Sequence, residues 1–314
     1  MSRAQVNDTI ILMPPSLDTF AEKLHITRKK KHRLNGHVHS TVSDGQLTPE
    51  EIVELAERDN LLFSITDHLR IDAYDTVDSA RIMPGVEVKV AEGGVDFLVH
   101  GNTREQLEEF FRQVVMPANP SYTMYGPTRL QVHQLLGEAF DRNMHVVVPH
   151  YATAEGLCVL NESAQAEVAQ YPVFVEMNGR VGKYKNRQAK RYAKENNLPL
   201  IASGDSHLRD QYTDTHTSFK LPRDTEPTAD EIFAALRLRR VQFMLKHASW
   251  LDTIRTGASS AKNMITKRDG LLYYLYNAAR NSVGKRHIES NGTTDSQPPQ
   301  ETLETADVDD AVGS

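Results

Sequence analysis

The chain has 314 residues, 39 % hydrophobic and 25 % charged, with 36 Lys and Arg against 42 Asp and Glu for a net charge of −6. That composition excludes a fibre, a wholly disordered chain and a protein that grips nucleic acid by overall charge. A single cysteine, Cys158, excludes an internal disulfide and a thiolate-cluster metal site. With no leader-like N-terminus and no apolar run near ~18 residues, the expectation is a cytoplasmic protein without a membrane span.

Residues 1–33 read as a lead segment ending in the basic run Lys29-Lys30-Lys31-His32-Arg33, a solvated approach to the first strand. From 34 to 247, short β-branched or apolar runs alternate with segments of helical spacing. The runs lie at 34–39, 61–66, 82–88, 95–100, 145–149, 173–177 and 198–202. Capping boxes mark the intervening helix starts: Thr48 with Glu51, Thr103 with Gln106, Thr128 with Gln131 and Thr228 with Glu231. This is the βαβα signature of a parallel α/β fold, and seven strand candidates in one stretch favour a closed or nearly closed barrel over an open sheet. Residues 248–290 read as a helical extension whose apolar stretch 271–276 packs on the barrel or on a second subunit rather than on a membrane. Residues 291–314 hold six acids and no Lys or Arg, and are expected to form a disordered tail.

The chemistry collects at the strand ends. In "NGHVHSTVSDG" the period of two on a strand sends His37 and His39 to the same face, with Asp44 five residues on. The next run ends in Asp67-His68, Glu87 sits inside an apolar run, and later runs end in His100 and His150. The last leads into Ser203-Gly204-Asp205-Ser206-His207. Any one of these residues has an ordinary reading as a satisfied buried hydrogen-bonding group. As a set they point to one pocket, because buried imidazole and carboxylate are costly unless paired or bound to metal. Nine candidates (His37, His39, Asp44, His68, Glu87, His100, His150, Asp205 and His207) exceed the needs of one tetrahedral ion. They suggest two or three divalent ions; imidazole and carboxylate without thiolate suit Mn, Fe or Zn.

In the order and spacing of these motifs, from His37 to His207, the sequence resembles the polymerase and histidinol phosphatase (PHP) family of metal-dependent phosphoesterases. The resemblance implies a distorted seven-stranded barrel. It also implies one metal on His37, His39, Glu87 and Asp205, a second on Asp44, His68 and His207, and a third on Glu87, His100 and His150, with Glu87 bridging. Two departures are Asn35, where the family often has Asp, and Ser203 before Gly204-Asp205; the first bears on the groups that orient His37.

The expected reaction is hydrolysis of a phosphate ester by a hydroxide held between metals, with Asp205, His207 and Arg180 closest to the reacting groups. Arg180 opens a basic segment with Lys183, Lys185 and Arg187 after the 173–177 run, fit to clamp a substrate phosphate. Tyr122 and Tyr125, in the loop 119–127, are read as pinning that loop rather than stacking on a base, and Asp67 as a supporting group rather than a ligand. A small phosphorylated metabolite or nucleotide is the favoured substrate. The alternatives are a 5′-end exonuclease on short oligonucleotides, a related hydrolase of C–N bonds that uses a modified lysine, and a noncatalytic metal-binding module with self-association through 248–290.

Overall fold

The structure is a computed structural model that describes residues 29–119, 123–222 and 227–266. Among these residues nine strands form one sheet in the order β7-β6-β5-β4-β3-β2-β1-β8-β9. They are β1 (Lys29–Val38), β2 (Leu62–Ile65), β3 (Ile82–Lys89), β4 (Asp96–His100), β5 (His145–Val148), β6 (Phe174–Asn178), β7 (Leu200–Ser203), β8 (His216–Pro222) and β9 (Gln242–Met244). Among the described residues the α-helices of seven or more residues are α1 (Pro49–Asp59), α2 (Arg104–Phe110), α3 (Val132–Asp141), α4 (Glu162–Val168), α5 (Lys183–Glu195), α6 (Ala229–Arg237) and α7 (Trp250–Thr266). The sheet nearly closes on itself. Ser206, just past β7, exchanges backbone hydrogen bonds with His37 and His39 of β1 and its flank, at 3.2 and 3.0 Å. Thr217 of β8 bonds through its hydroxyl to the backbone of Ala202 in β7.

The strand count therefore corrects from seven to nine, β8 and β9 being the additions. The first strand begins at Lys29 instead of residue 34, so the basic run is part of β1, paired antiparallel with β8. The all-parallel expectation also fails at one place that matters: β4 runs antiparallel to both neighbours, β3 and β5. Capping boxes are present at Thr48 and Thr228, but α3 is capped by Gln131 with Gln134 rather than by Thr128. Of the expected extension 248–290, the described part is α7; residues 267–290 and the acidic tail lie outside the described residues, as do Tyr122 and most of the lead segment.

Two apolar layers follow from strand alternation. One face of the sheet packs under α1, α2, α3 and α5. The other face sends one side chain inward from each of β1 to β7 (among them Leu34, Leu62, Leu98, Phe174 and Ile201) and two from β8, Phe219 and Leu221, and Ile232, Phe233 and Leu236 of α6 close that layer as its floor. The inward positions beyond this layer, at the far ends of the parallel strands, are where the polar groups gather. At β1 the phase changes on purpose: Leu34 pairs with Leu62 and Val38 with Ile65, so one extra residue lies in β1 between them. This bulge lets His37 point inward although Leu34, three residues earlier, also does.

Candidate metal centre

His37 and His39 come from the bulged end of β1, and their Nε2 atoms converge to 3.1 Å. Glu87, inward on β3, places Oε2 at 3.5 Å from His37, 3.4 Å from His39 and 3.0 Å from His68. Asp205 brings Oδ1 to 3.5 and 3.3 Å from the Nε2 atoms of His37 and His39. Asp44 reaches His207 Nε2 at 3.1 Å, with His39 and His68 beyond at 3.6 and 3.7 Å. His150 Nε2 stands 3.2 Å from Glu87 Oε1. Eight of the nine expected residues are thus brought together, in groups His39, Asp44, His68 and His207; His37, His39 and Asp205; and Glu87 and His150 with Asp96.

His100 is not brought there. β4 ends at the α6 floor, so His100 pairs across the sheet with His145, packs on Phe233 at 5.4 Å and bonds Ser64 at 3.0 Å. Burial pulls its pKa down to about 3, so it sits there as a neutral core imidazole. Gly85 opposite it is required, since a Cβ would lie 2.5 Å from Ser64 Oγ and 2.9 Å from His100 Nδ1. Because β4 is reversed, its first residue, Asp96, faces Glu87 and His150 instead. Asp96 is itself held: Lys89, its partner across β3 and β4, donates to Oδ2 at 2.9 Å and to Glu155 at 2.9 Å.

Local sequence builds each approach. In the loop after β1, Asp67 accepts from Ser40 N at 2.7 Å and Ser40 Oγ at 2.6 Å, and also from Ser43 Oγ. That folds the loop back so that Asp44 faces inward, and Gly45 is obligatory because a Cβ there would lie 1.9 Å from His39 O. His150 and Asp205 adopt φ of +28° and +50°, a left-handed backbone held at two strand exits that turns both side chains inward. Asn35 points away from the centre: it accepts from Gly204 N at 2.7 Å and donates to Tyr212 O at 2.8 Å, tying β1 to the Asp205 turn. The group that orients His37 is Glu176, inward on β6, at 3.0 Å from Nδ1. Its other oxygen accepts from His150 N at 2.9 Å and Asn178 Nδ2 at 2.7 Å. Glu176 was readable by the rule that singled out Glu87, an acid inside an apolar strand; Asp96 required knowing the direction of β4.

Arg180 Nη1 lies 3.1 Å from Asp205 Oδ1 and from His207 Nδ1. Lys183, Lys185 and Arg187 lie instead on exposed positions of α5. Tyr125 is buried with its ring edge-on to His68 at 5.4 Å.

The electrostatics are those of a site short of cations. Burial works against every charge here, but His207 and His68 hold Asp44 well below the usual carboxylate range, and Arg180 and His37 do the same for Asp205. Glu87 and Asp44 push His68 up to about 10 against burial, while burial and the neighbouring His207 and His68 pull His39 down to about 3. Among the described residues no donor meets the buried Glu87 Oε2 in hydrogen-bond geometry, although three imidazoles surround it. Two facing Nε2 atoms and an undonated carboxylate oxygen are what divalent ions would join, and the donor set of imidazole and carboxylate fits them.

Comparison with known proteins agrees with the fold. Residues 183–241 match the family model "PHP-associated". No curated protein matches the sequence. PsfC from Pseudomonas syringae PB-5123 superposes with a TM-score of 0.54 at 16 % identity, over 76 % of this chain and 99 % of its own. The lesion-specific endonuclease Q of Pyrococcus furiosus gives 0.53 at 18 %, over 69 % of this chain and 58 % of its own. Endonuclease Q in complex with a 27-mer duplex carrying an abasic lesion gives 0.52 at 16 %, over 66 % and 57 %. This chain thus spans little more than half the length of endonuclease Q. It shares the fold of these structures, and in its motifs and its PHP-associated segment it resembles the PHP proteins.

Proposed function

We propose that this chain is a metal-dependent hydrolase of phosphate esters, with His37, His39, Asp44, His68, Glu87, His150, Asp205 and His207 holding the ions. The observation that carries the reading is Glu87. Its carboxylate meets four imidazoles, His37, His39 and His68 at Oε2 and His150 at Oε1, and the buried Oε2 so faces both the His37–Asp205 and the Asp44–His68–His207 groups. Divalent ions bound there would supply Lewis acidity and lower the pKa of water towards ~7.

The chain's own residues do the rest. Glu176 accepts the hydrogen bond of His37 Nδ1–H and so keeps the Nε2 lone pair facing inward. Asn178 donates to Asp205 Oδ2 at 3.1 Å, so that Oδ1 is the oxygen turned to Arg180 and to the Nε2 atoms of His37 and His39. Arg180, partly exposed beside Asp205 and His207, offers its guanidinium to the non-bridging oxygens of a phosphate and neutralises charge that grows there in the transition state. The C–N hydrolase alternative has less support, because Lys89 Nζ is engaged by two carboxylates, Asp96 and Glu155, at 2.9 Å each.

The test is hydrolysis of bis(p-nitrophenyl) phosphate and of 5′-mononucleotides by chelator-stripped protein before and after adding Mn, Fe or Zn. Activity that appears with metal and is lost in Asp205→Asn supports the reading; metal-independent activity, or none with any metal, overturns it.

A further inference from the structure

α5 carries six Lys and Arg in 13 residues and a single acid, Glu195, in a chain whose net charge is −6. Lys183, Arg187, Lys190 and Lys194 recur at i, i+4, i+7 and i+11. That puts them within about 60° of one another around the helix and along about 16 Å of its axis. All four are exposed, while Asn186, Ala189, Tyr192 and Ala193 take the buried side. Among the described residues the one ion pair on this helix is Arg191 with Glu195, at 3.8 Å.

This pattern costs stability. Lys183 with Arg187, Arg187 with Arg191, and Lys190 with Lys194 set like charges one turn apart. Lys183 and Lys185 occupy the first turn, where the helix dipole favours acids, and the N-cap, Gly182, has no side-chain acceptor. A face kept only for solvation is better served by mixed signs. The unbalanced stripe therefore calls for an anion outside the fold.

The stripe is also fixed to the metal centre. Asn186 clamps the end of β6, accepting from Asn178 N at 2.8 Å and donating to Asn178 O at 2.8 Å. Asn178 donates to Asp205, and Arg180, three residues before the stripe begins, touches Asp205. Tyr184, 70 % exposed, stands beside the first cation of the stripe.

We propose that this face of α5 is the track for a single-stranded polynucleotide, one backbone phosphate to each helical turn, with Tyr184 a stacking surface for a base. The same strand would present a phosphodiester to the metal centre, a clause that rests on the hydrolase reading above. A lipid surface is a poorer fit, since membrane-seated basic helices carry an apolar flank and this exposed face has none beyond Tyr184.

The experiment uses the intact chain and a single-stranded DNA of about twenty nucleotides, labelled at its 3′ end, followed by fluorescence anisotropy through a salt titration. Four stripe contacts predict a log–log salt slope near −3 for wild type. For Lys183→Gln with Arg187→Gln the slope shrinks by about 1.4 and affinity at low salt falls roughly tenfold. The unfolding midpoint rises by ~2 °C as like charges are relieved, which a merely structural role would reverse. Wild type without salt-dependent binding, a double variant that binds like wild type, or binding to phosphatidylserine vesicles without binding to DNA overturns the proposal. The hydrolase reading is separable. Hydrolysis of bis(p-nitrophenyl) phosphate without DNA binding overturns the track alone, and salt-dependent DNA binding without hydrolysis supports the track and overturns the enzymatic reading.

Discussion

Glu176→Gln is the substitution whose consequence the geometry determines most closely. Glu176 is fully buried and accepts three hydrogen bonds: one oxygen takes His150 N and Asn178 Nδ2, the other takes His37 Nδ1. Glutamine has one acceptor oxygen and one donor nitrogen of nearly the same shape. Two donors on the His150 side hold the oxygen there, so the amide nitrogen must face His37. His37 Nδ1 then has to accept, its proton moves to Nε2, and the lone pair that faces Glu87 and Asp205 is lost to metal. Losing such an orienting partner costs 10–100-fold in metal affinity, or about 1.4–2.7 kcal/mol. Competition with a fluorescent chelator measures the affinity, and far-UV circular dichroism shows whether the fold persists. A folded Glu176→Gln protein that binds metal as tightly as wild type would refute the assigned tautomer of His37.

Three further outcomes are expected. His100→Phe should keep the full metal content, whereas His150→Gln should lose metal; equal losses in elemental analysis would place His100 back at the centre. Lys89→Met removes the ammonium at Asp96, so the metal-free protein should be destabilised by ~3 kcal/mol and bind one ion more than wild type; an unchanged count would show that Lys89 does not compete with a metal there. The metal-free and loaded proteins should also respond oppositely to pH. In the metal-free chain His37, His68 and His150 are raised, so their contribution is complete below ~6.5 and is lost as pH climbs through the raised values, about 10 for His68. Ions must displace those protons, so the loaded protein should gain stability over the same interval. Midpoints that move in parallel between pH 6.5 and 9 in differential scanning calorimetry would contradict this.

The strand positions were legible because apolar and β-branched runs are short and bounded by capping boxes, and the rule that polar groups collect at strand ends found His37, His39, His68, His150, Asp205 and His207. It misplaced His100 because strand direction is a property of connections. The interval between β3 and β4 is only six residues with Gly93 and Gly94 at φ of +64° and +62°, too short for a parallel crossover. Read that way, the sequence would have assigned Asp96 to the centre and His100 to the floor. β8 and β9 were hidden for a different reason. β8 carries His216, Ser218 and Lys220 among its apolar residues, and β9 has three residues, all exposed, so neither shows the run that marks a buried strand. The basic run Lys29–Arg33 was legible as charge but not as place: it begins β1, from about 26 Å (Lys29) to about 13 Å (Arg33) along the strand from His37. The charge that follows Arg180 is on α5, where Lys183 and Arg187, read singly as clamps for a phosphate, belong to a stripe visible only at helical period.

The central claim is that the eight converging side chains exist to hold metal. Elemental analysis of protein purified without chelator, repeated after incubation with Mn, Zn and Fe(II), tests it directly. Two to three divalent ions per chain are expected, falling by at least one in His37→Ala. Protein that stays near zero with every metal, while folded and monodisperse, would contradict it.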